Sequence, residues 1–104
     1  MYAEQLRHAG LDAHVAHDVL QAVAFTERHD VDAVIIDIGL PGPSGIDLAR
    51  ELRTRKKTKH AVLIAVSGMP RELTDDAAFD AHFVKPCLPA VVANELHRRL
   101  RVVA

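Results

Sequence analysis

The sequence predicts a single three-layer α/β domain built on a parallel sheet, and three observations carry that prediction. Two continuous apolar runs, Ala33–Ile36 and Ala61–Val66, are rich in β-branched residues and have no polar face. Runs of this kind are strands covered on both sides by helices. Segments with apolar residues at helical spacing lie before, between and after them, the alternation that produces parallel strands with crossover helices. Lastly, the strand-like runs end on polar residues: Asp37, Ser67 and, after a third short run Ala81–Val84, Lys85. Chemistry in open parallel sheets collects at the carboxyl edge, where these residues are expected.

The bulk properties agree with one small domain. The 104 residues suffice for a single core. Thirteen basic against fourteen acidic residues leave a formal charge of −1, so no strong field draws in nucleic acid or a membrane surface. The one cysteine, Cys87, cannot form an internal disulfide, which fits a reducing, cytoplasmic setting. No apolar run approaches the roughly 20 residues that span a bilayer, and Met1–Gly10 lacks the apolar core of a signal peptide. The seven histidines are dispersed, with no HExxH. Only His14 and His17 are close, and a strand would send them to opposite faces, so no histidine metal site is expected.

In chain order, Met1–Gly10 reads as the later part of a helix, with Tyr2, Ala3 and Leu6 at helical spacing and Gly10 as its stop. Leu11–His17 alternates weakly and is expected as a short strand near a sheet edge. Asp18 is placed to cap a second helix whose apolar stripe is Val19, Leu20, Val23 and Ala24. After the Ala33–Ile36 strand, Gly45 and Ile46 open a third helix, with Ile46, Ala49 and Leu52 inward and Arg50, Glu51 and Arg53 outward. The basic run Arg53–His60 is expected to be a solvated helix end, too narrow a face for nucleic acid. Pro70–Ala78 makes at most one short helix. Pro89–Val103 is the last helix, with Pro89 in its first turn and Val92, Leu96 and Leu100 recurring at four-residue spacing.

A carboxylate, a hydroxyl and an ammonium at one sheet edge can make an anion site. A carboxylate can accept a phosphoryl group as a nucleophile. Lysine and hydroxyl can stabilise phosphoryl oxygens, normally beside a divalent cation. Plainer roles stay open at this point: Asp37 capping a turn, Ser67 ending a strand, Lys85 forming only an ion pair. Cys87 is expected to pack, since no base is visibly arranged to activate it.

With these residues in view, the chain resembles the receiver domains of two-component response regulators, which have a flavodoxin-like fold. The resemblance runs from Met1 to about Val103. It rests on DIGLPGPSG at Asp37–Gly45, with Pro41 four and Gly45 eight residues after the aspartate, on Ser67 thirty residues after it, and on Lys85-Pro86. VDAVIIDIGLPGPSGIDLARELR and FDAHFVKP are also family-like.

The resemblance implies that Asp37 accepts a phosphoryl group from a phosphohistidine of a sensor histidine kinase or phosphotransfer protein. Lys85 would pair with the carboxylate and then the phosphate, and Ser67 would move to bond the phosphoryl group. His82, three residues before the lysine, would change rotamer with it. Mg²⁺ would be held by Asp37 and the Gly39 backbone carbonyl, while Pro41, Gly45 and Pro86 would shape the site. Two departures stand out. The chain opens inside the first helix, so the family's first strand and its pair of acidic magnesium ligands map onto no residue before Asp37: Glu4 lies on the first helix and Asp12 beyond it. The stretch from Ser67 to Lys85 is also shorter than usual.

The expectation is therefore a flavodoxin-like, three-layer α/β receiver domain over residues 1–104 with about four strands, the first strand missing and no output domain. A gap at the missing central strand would leave backbone groups unpaired or invite a partner strand, which makes Met1 an unexpected natural start. Output is expected through protein contacts, a homo-oligomer among them. The alternatives are a degenerate pseudo-receiver acting by phosphorylation-independent protein contact, and a small aspartyl-phosphate hydrolase, for which no second acid stands near Asp37 (Gly39 occupies that position).

Overall fold

The two long apolar runs form adjacent, parallel strands in the computed structural model, which describes residues 2–16, 19–38, 44–68, 78–85 and 88–100. β1 is Ala33–Ile38, β2 is Val62–Ser67 and β3 is Ala81–Val84, in the order β1-β2-β3 and parallel throughout. Ala33 stands beside Val62 and Ile38 beside Ser67, while Ile64 stands beside Ala81 and Ser67 beside Val84. Strand alternation then divides the core in two.

Ile36, Ile38, Leu63 and Ala65 face one helical layer and Ile64 and Val66 the other. The first layer is α2 (Val19–Arg28) and α3 (Ser44–Thr54). Leu48, Ala49 and Leu52 of α3 are buried there, and Val19, Ala22 and Val23 of α2 pack beside them. The second layer is α4 (Pro89–Leu100), through Val92 and Leu96, with α1 (Tyr2–His8) packed on it. Leu52, Leu63 and Ile64 are wholly inaccessible to solvent, and burial of each such side chain stabilises the fold by about 1.5–3 kcal/mol.

Two glycines have specific work. Gly45 lets α3 settle on β1: a Cβ there would lie 3.1 Å from Ile38 Cγ1 and 3.3 Å from Ile36 Cγ2. Gly10 ends α1 at φ +90°, with Leu11 N bonded to Leu6 O and Gly10 N to Arg7 O, the paired bonds of a Schellman stop.

The sheet has three strands among the described residues, not four. The expected Leu11–His17 strand is absent over residues 11–16, which have neither helical nor ladder bonding. A strand exists only where a neighbour completes its ladder, and among the described residues β1 pairs with β2 alone. The inward stripe of α2 also differs. Leu20 is 81% exposed and Ala24 is exposed, whereas Thr26 is buried. Thr26 tolerates this because its hydroxyl donates to Val23 O at 2.9 Å, so no polar group is stranded. Asp18, most of the expected Pro70–Ala78 helix and the end of the last helix beyond Leu100 lie outside the described residues.

Arg53 is the third correction. It does not point to solvent. Its guanidinium donates to Ala78 O, Lys59 O, Ala61 O and Asp80 Oδ2 at 2.7–3.0 Å. Asp80 Oδ2 also accepts from Leu63 N at 2.8 Å, so one ion pair fastens the end of α3 to the start of β2 and the approach to β3. The rest of the basic run serves the same edge: Arg55 bonds Glu27 and Glu51, and Lys57 pairs with Asp30, tying α3 to α2.

Candidate functional site

The carboxyl edge of the sheet is built by three strand ends. Asp37 is the penultimate residue of β1, Ser67 the last of β2, and Lys85 the first residue after β3. Lys85 N donates to Ser67 O at 2.6 Å, which fixes the lysine backbone against β2. Its side chain then passes the end of β2, and Nζ donates to both Asp37 oxygens, Oδ1 and Oδ2, at 2.9 Å each. Both side chains are open to water, Asp37 by 63% and Lys85 by 41%. An ion pair this exposed contributes about 0–1 kcal/mol to stability. Its geometry therefore says little about folding and much about presentation: a carboxylate held at an open edge with an ammonium across both oxygens.

Ser67 sits differently. Asp37 is in register with Val66, so Ser67 lies one residue further along, beside Ile38, on the other face of the sheet and with no exposed surface. His82 is in register with Ala65 and shares the face of Ser67. The structure thus joins Asp37 to Lys85 and puts Ser67 and His82 on one face beside them. Gly45 stands under β1 as described above. Gly39, Pro41, Pro86 and Cys87 lie outside the described residues.

A divalent cation needs several oxygen ligands, and Mg²⁺ usually takes one or two carboxylates and fills its octahedron with water and substrate oxygens. Among the described residues no group of three histidine, cysteine, aspartate or glutamate side chains converges, and both oxygens of Asp37 already accept from Lys85. Among the described residues, Asp37 is the carboxylate at this edge that would hold such a cation, and Lys85 is the competitor for both its oxygens.

A shallow groove of about 460 Å³ lies at the opposite, amino edge, between Arg53, Lys59, His60, Asp80, Arg98 and Arg99. Several of its charges are spent within the protein: Arg53 on Asp80 and carbonyls, Arg98 and Arg99 on Glu95. Nothing in it approaches Asp37. Sequence reasoning missed the Arg53–Asp80 link, since a contact across 27 residues leaves no periodic signal.

Residues 1–98 match the response regulator receiver domain family. The chain belongs to that family. RegX3, a sensory transduction protein of Mycolicibacterium smegmatis, is 33% identical over 99 residues, covering 94% of this chain and 42% of its own. The chemotaxis protein CheY-3 of Vibrio cholerae is 32% identical over 87 residues, 80% of this chain and 67% of that protein. This receiver domain therefore spans less than half of RegX3 and two thirds of CheY-3. Among solved structures, a sensor protein from Polaromonas sp. JS666 superposes with a TM-score of 0.82 at 26% identity, over 98% of this chain and 86% of that one. The receiver domain of the sensor histidine kinase PA1611 from Pseudomonas aeruginosa, with a magnesium ion in its active-site cleft, gives 0.78 at 28% identity, over 91% and 81%. The flavodoxin-like, parallel α/β expectation holds, with three described strands. No helix among the described residues is long and apolar enough to cross a membrane.

Proposed function

We propose that this receiver domain transfers signal by accepting a phosphoryl group on Asp37 from a phosphohistidine of a sensor histidine kinase or phosphotransfer protein in the cytoplasm. The observation that carries the reading is the Lys85 ammonium bonded to both oxygens of an otherwise exposed Asp37. An Asp37 oxygen would attack phosphorus, the P–N bond to the donor imidazole would break, and the imidazole would leave as a neutral ring after taking up a proton. The product is an acyl phosphate. Lys85 balances the carboxylate before transfer and the phosphoryl oxygens after it. Ser67, on the buried face, and His82 on the same face would report the change to the rest of the sheet. Val84, Leu88 and Val91, exposed apolar residues around the end of β3 and the start of α4, offer a protein-contact surface for output or self-association.

The reading is tested by intact-protein mass after incubation with acetyl phosphate, with and without Mg²⁺, beside Asp37→Asn. A gain of one phosphoryl mass, about 80 Da, present in the parent and lost in the variant, supports it. A folded protein that gains no mass with a cognate donor refutes it.

A further inference from the structure

The groove at the amino edge of the sheet takes no part in the Asp37 site, and its charges do not balance. Two elements bring cations to it. In the turn after α3, the buried Thr58 donates from its hydroxyl to Leu52 O at 2.6 Å, and Lys59 N donates to Arg55 O at 2.8 Å. The turn so fixed presents Lys59 and His60, both exposed, just ahead of β2. From the other side comes the last turn of α4, with Arg98 and Arg99. Arg99 Nη2 donates to Asp80 O at 3.0 Å, which docks that turn on the approach to β3.

Arg53, Lys59, Arg98 and Arg99 line the groove against one carboxylate, Asp80. Asp80 and Arg53 are committed to each other and to backbone groups. Arg98 and Arg99 both donate to the same Oε2 of Glu95, so one carboxylate serves two guanidiniums. Lys59 Nζ meets no acceptor among the described residues. Asp30 is taken by Lys57, and Asp32 does not line the groove. Four cations against Asp80 and Glu95 thus leave two positive charges over, on a chain whose formal charge is −1. Arg98 is 67% exposed and spends one donor on Glu95, so the rest of its planar fork is turned to water. That fork matches a carboxylate in shape. A nucleic acid needs a row of phosphate contacts along a basic face, whereas these cations close around a shallow groove of about 460 Å³ with an acid in its wall. A short segment with two carboxylates fits, one at Arg98 and Arg99 and the other at Lys59.

We propose that the groove between the turn after α3 and the end of α4 is a docking site for an acidic segment of a partner protein, whose carboxylates are held by Lys59, Arg98 and Arg99. The site lies at the edge opposite Asp37, so the segment binds whether or not Asp37 carries a phosphoryl group.

The test titrates the full 104-residue chain, labelled for NMR, with a capped octapeptide of alternating glutamate and serine, beside the same peptide with glutamine for glutamate. The glutamate peptide shifts the amides of Lys59, His60, Arg98 and Arg99 to saturation, more weakly as salt rises, and the glutamine peptide does not. Lys59→Gln combined with Arg98→Gln lowers the affinity at least tenfold. Arg99 still neutralises Glu95 in that variant, so no carboxylate is stranded. Shifts that do not saturate or centre elsewhere, equal binding of the two peptides, or undiminished binding by the variant overturns the proposal. So does oligothymidylate of equal charge, or inorganic phosphate, binding these residues as tightly as the glutamate peptide, which would make the groove a nucleic-acid or simple anion site. Shifts of the same amides with protein concentration alone overturn it in favour of a second copy. If the double variant does not fold, the contrast between the two peptides on the parent chain decides alone. No phosphoryl donor enters the titration, so this proposal can fail while phosphoryl transfer to Asp37 stands, and the reverse.

Discussion

Lys85 Nζ and the two carboxylate oxygens of Asp37, 2.9 Å apart, bridge the ends of β1 and β3 across the intervening β2. The pair is exposed, so its value lies in chemistry. Lys85→Ala should move the urea midpoint by no more than about 1 kcal/mol equivalent, while slowing phosphoryl uptake from acetyl phosphate at least tenfold. A large loss of stability with unchanged uptake would reverse that assignment.

Gly45→Ala tests the close approach of α3 to β1. The added methyl meets Ile38 at 3.1 Å and Ile36 at 3.3 Å, and overpacking of this kind costs about 1–3 kcal/mol. Alanine is otherwise the better helix former, so a stabilised variant in denaturant titration would show that α3 can lift without loss.

Arg53→Ala removes a guanidinium that satisfies three carbonyls and the Asp80 carboxylate. The expected loss is about 2–4 kcal/mol, because partly buried acceptors are left unbonded. Arg53→Lys should recover little, since an ammonium cannot span four acceptors in that fork. Thermal melts of the three proteins decide the matter.

Among the described residues, Glu95 is an identifiable contributor to acid stability. Burial pushes the Glu95 carboxyl up, but hydrogen bonds and charge from Arg98 and Arg99 outweigh it and hold it below its ordinary 4.5. A carboxylate depressed in the folded state adds stability above its unfolded pKa and loses it as pH falls through the folded one. The Glu95 contribution is therefore complete above about pH 5 and fades below 4.5. Glu95→Gln should flatten that limb of a stability–pH curve and leave the neutral region's slope unchanged.

Leu20→Gln should change stability by less than about 0.5 kcal/mol, as its 81% exposure requires. Thr26→Lys, on the buried stripe, should be far more damaging. Circular dichroism melts of the two variants separate the observed face of α2 from the one that hydropathy alone selects.

These contrasts show what the amino-acid order makes legible. Ile35, Ile36, Ile64 and Val66 announce two-sided burial because nothing polar interrupts them, and Asp37, Ser67 and Lys85 follow as strand ends. Leu11–His17 carries a strand-like alternation, yet a ladder depends on the neighbour and no local pattern contains the neighbour. Leu20 misleads because hydropathy weighs side chains singly, whereas helix α2 is oriented by Ala22, Val23 and a self-satisfied Thr26. Arg53 lies in a basic run that looks solvated. Its role emerges only once the turn after α3 brings the carbonyls of Lys59 and Ala61 within reach.

The central position of β2 has a kinetic consequence. It is the one described strand bonded on both sides, and its residues Leu63, Ile64 and Ala65 have no solvent contact. Neither core can close before it is in place, because one packs on its Leu63 face and the other on its Ile64 face. Truncations such as Ile64→Ala should therefore slow refolding nearly in proportion to the stability they remove, whereas truncations in α1 should mainly hasten unfolding. The strand that carries no charge of the site would then set how fast the molecule can acquire one.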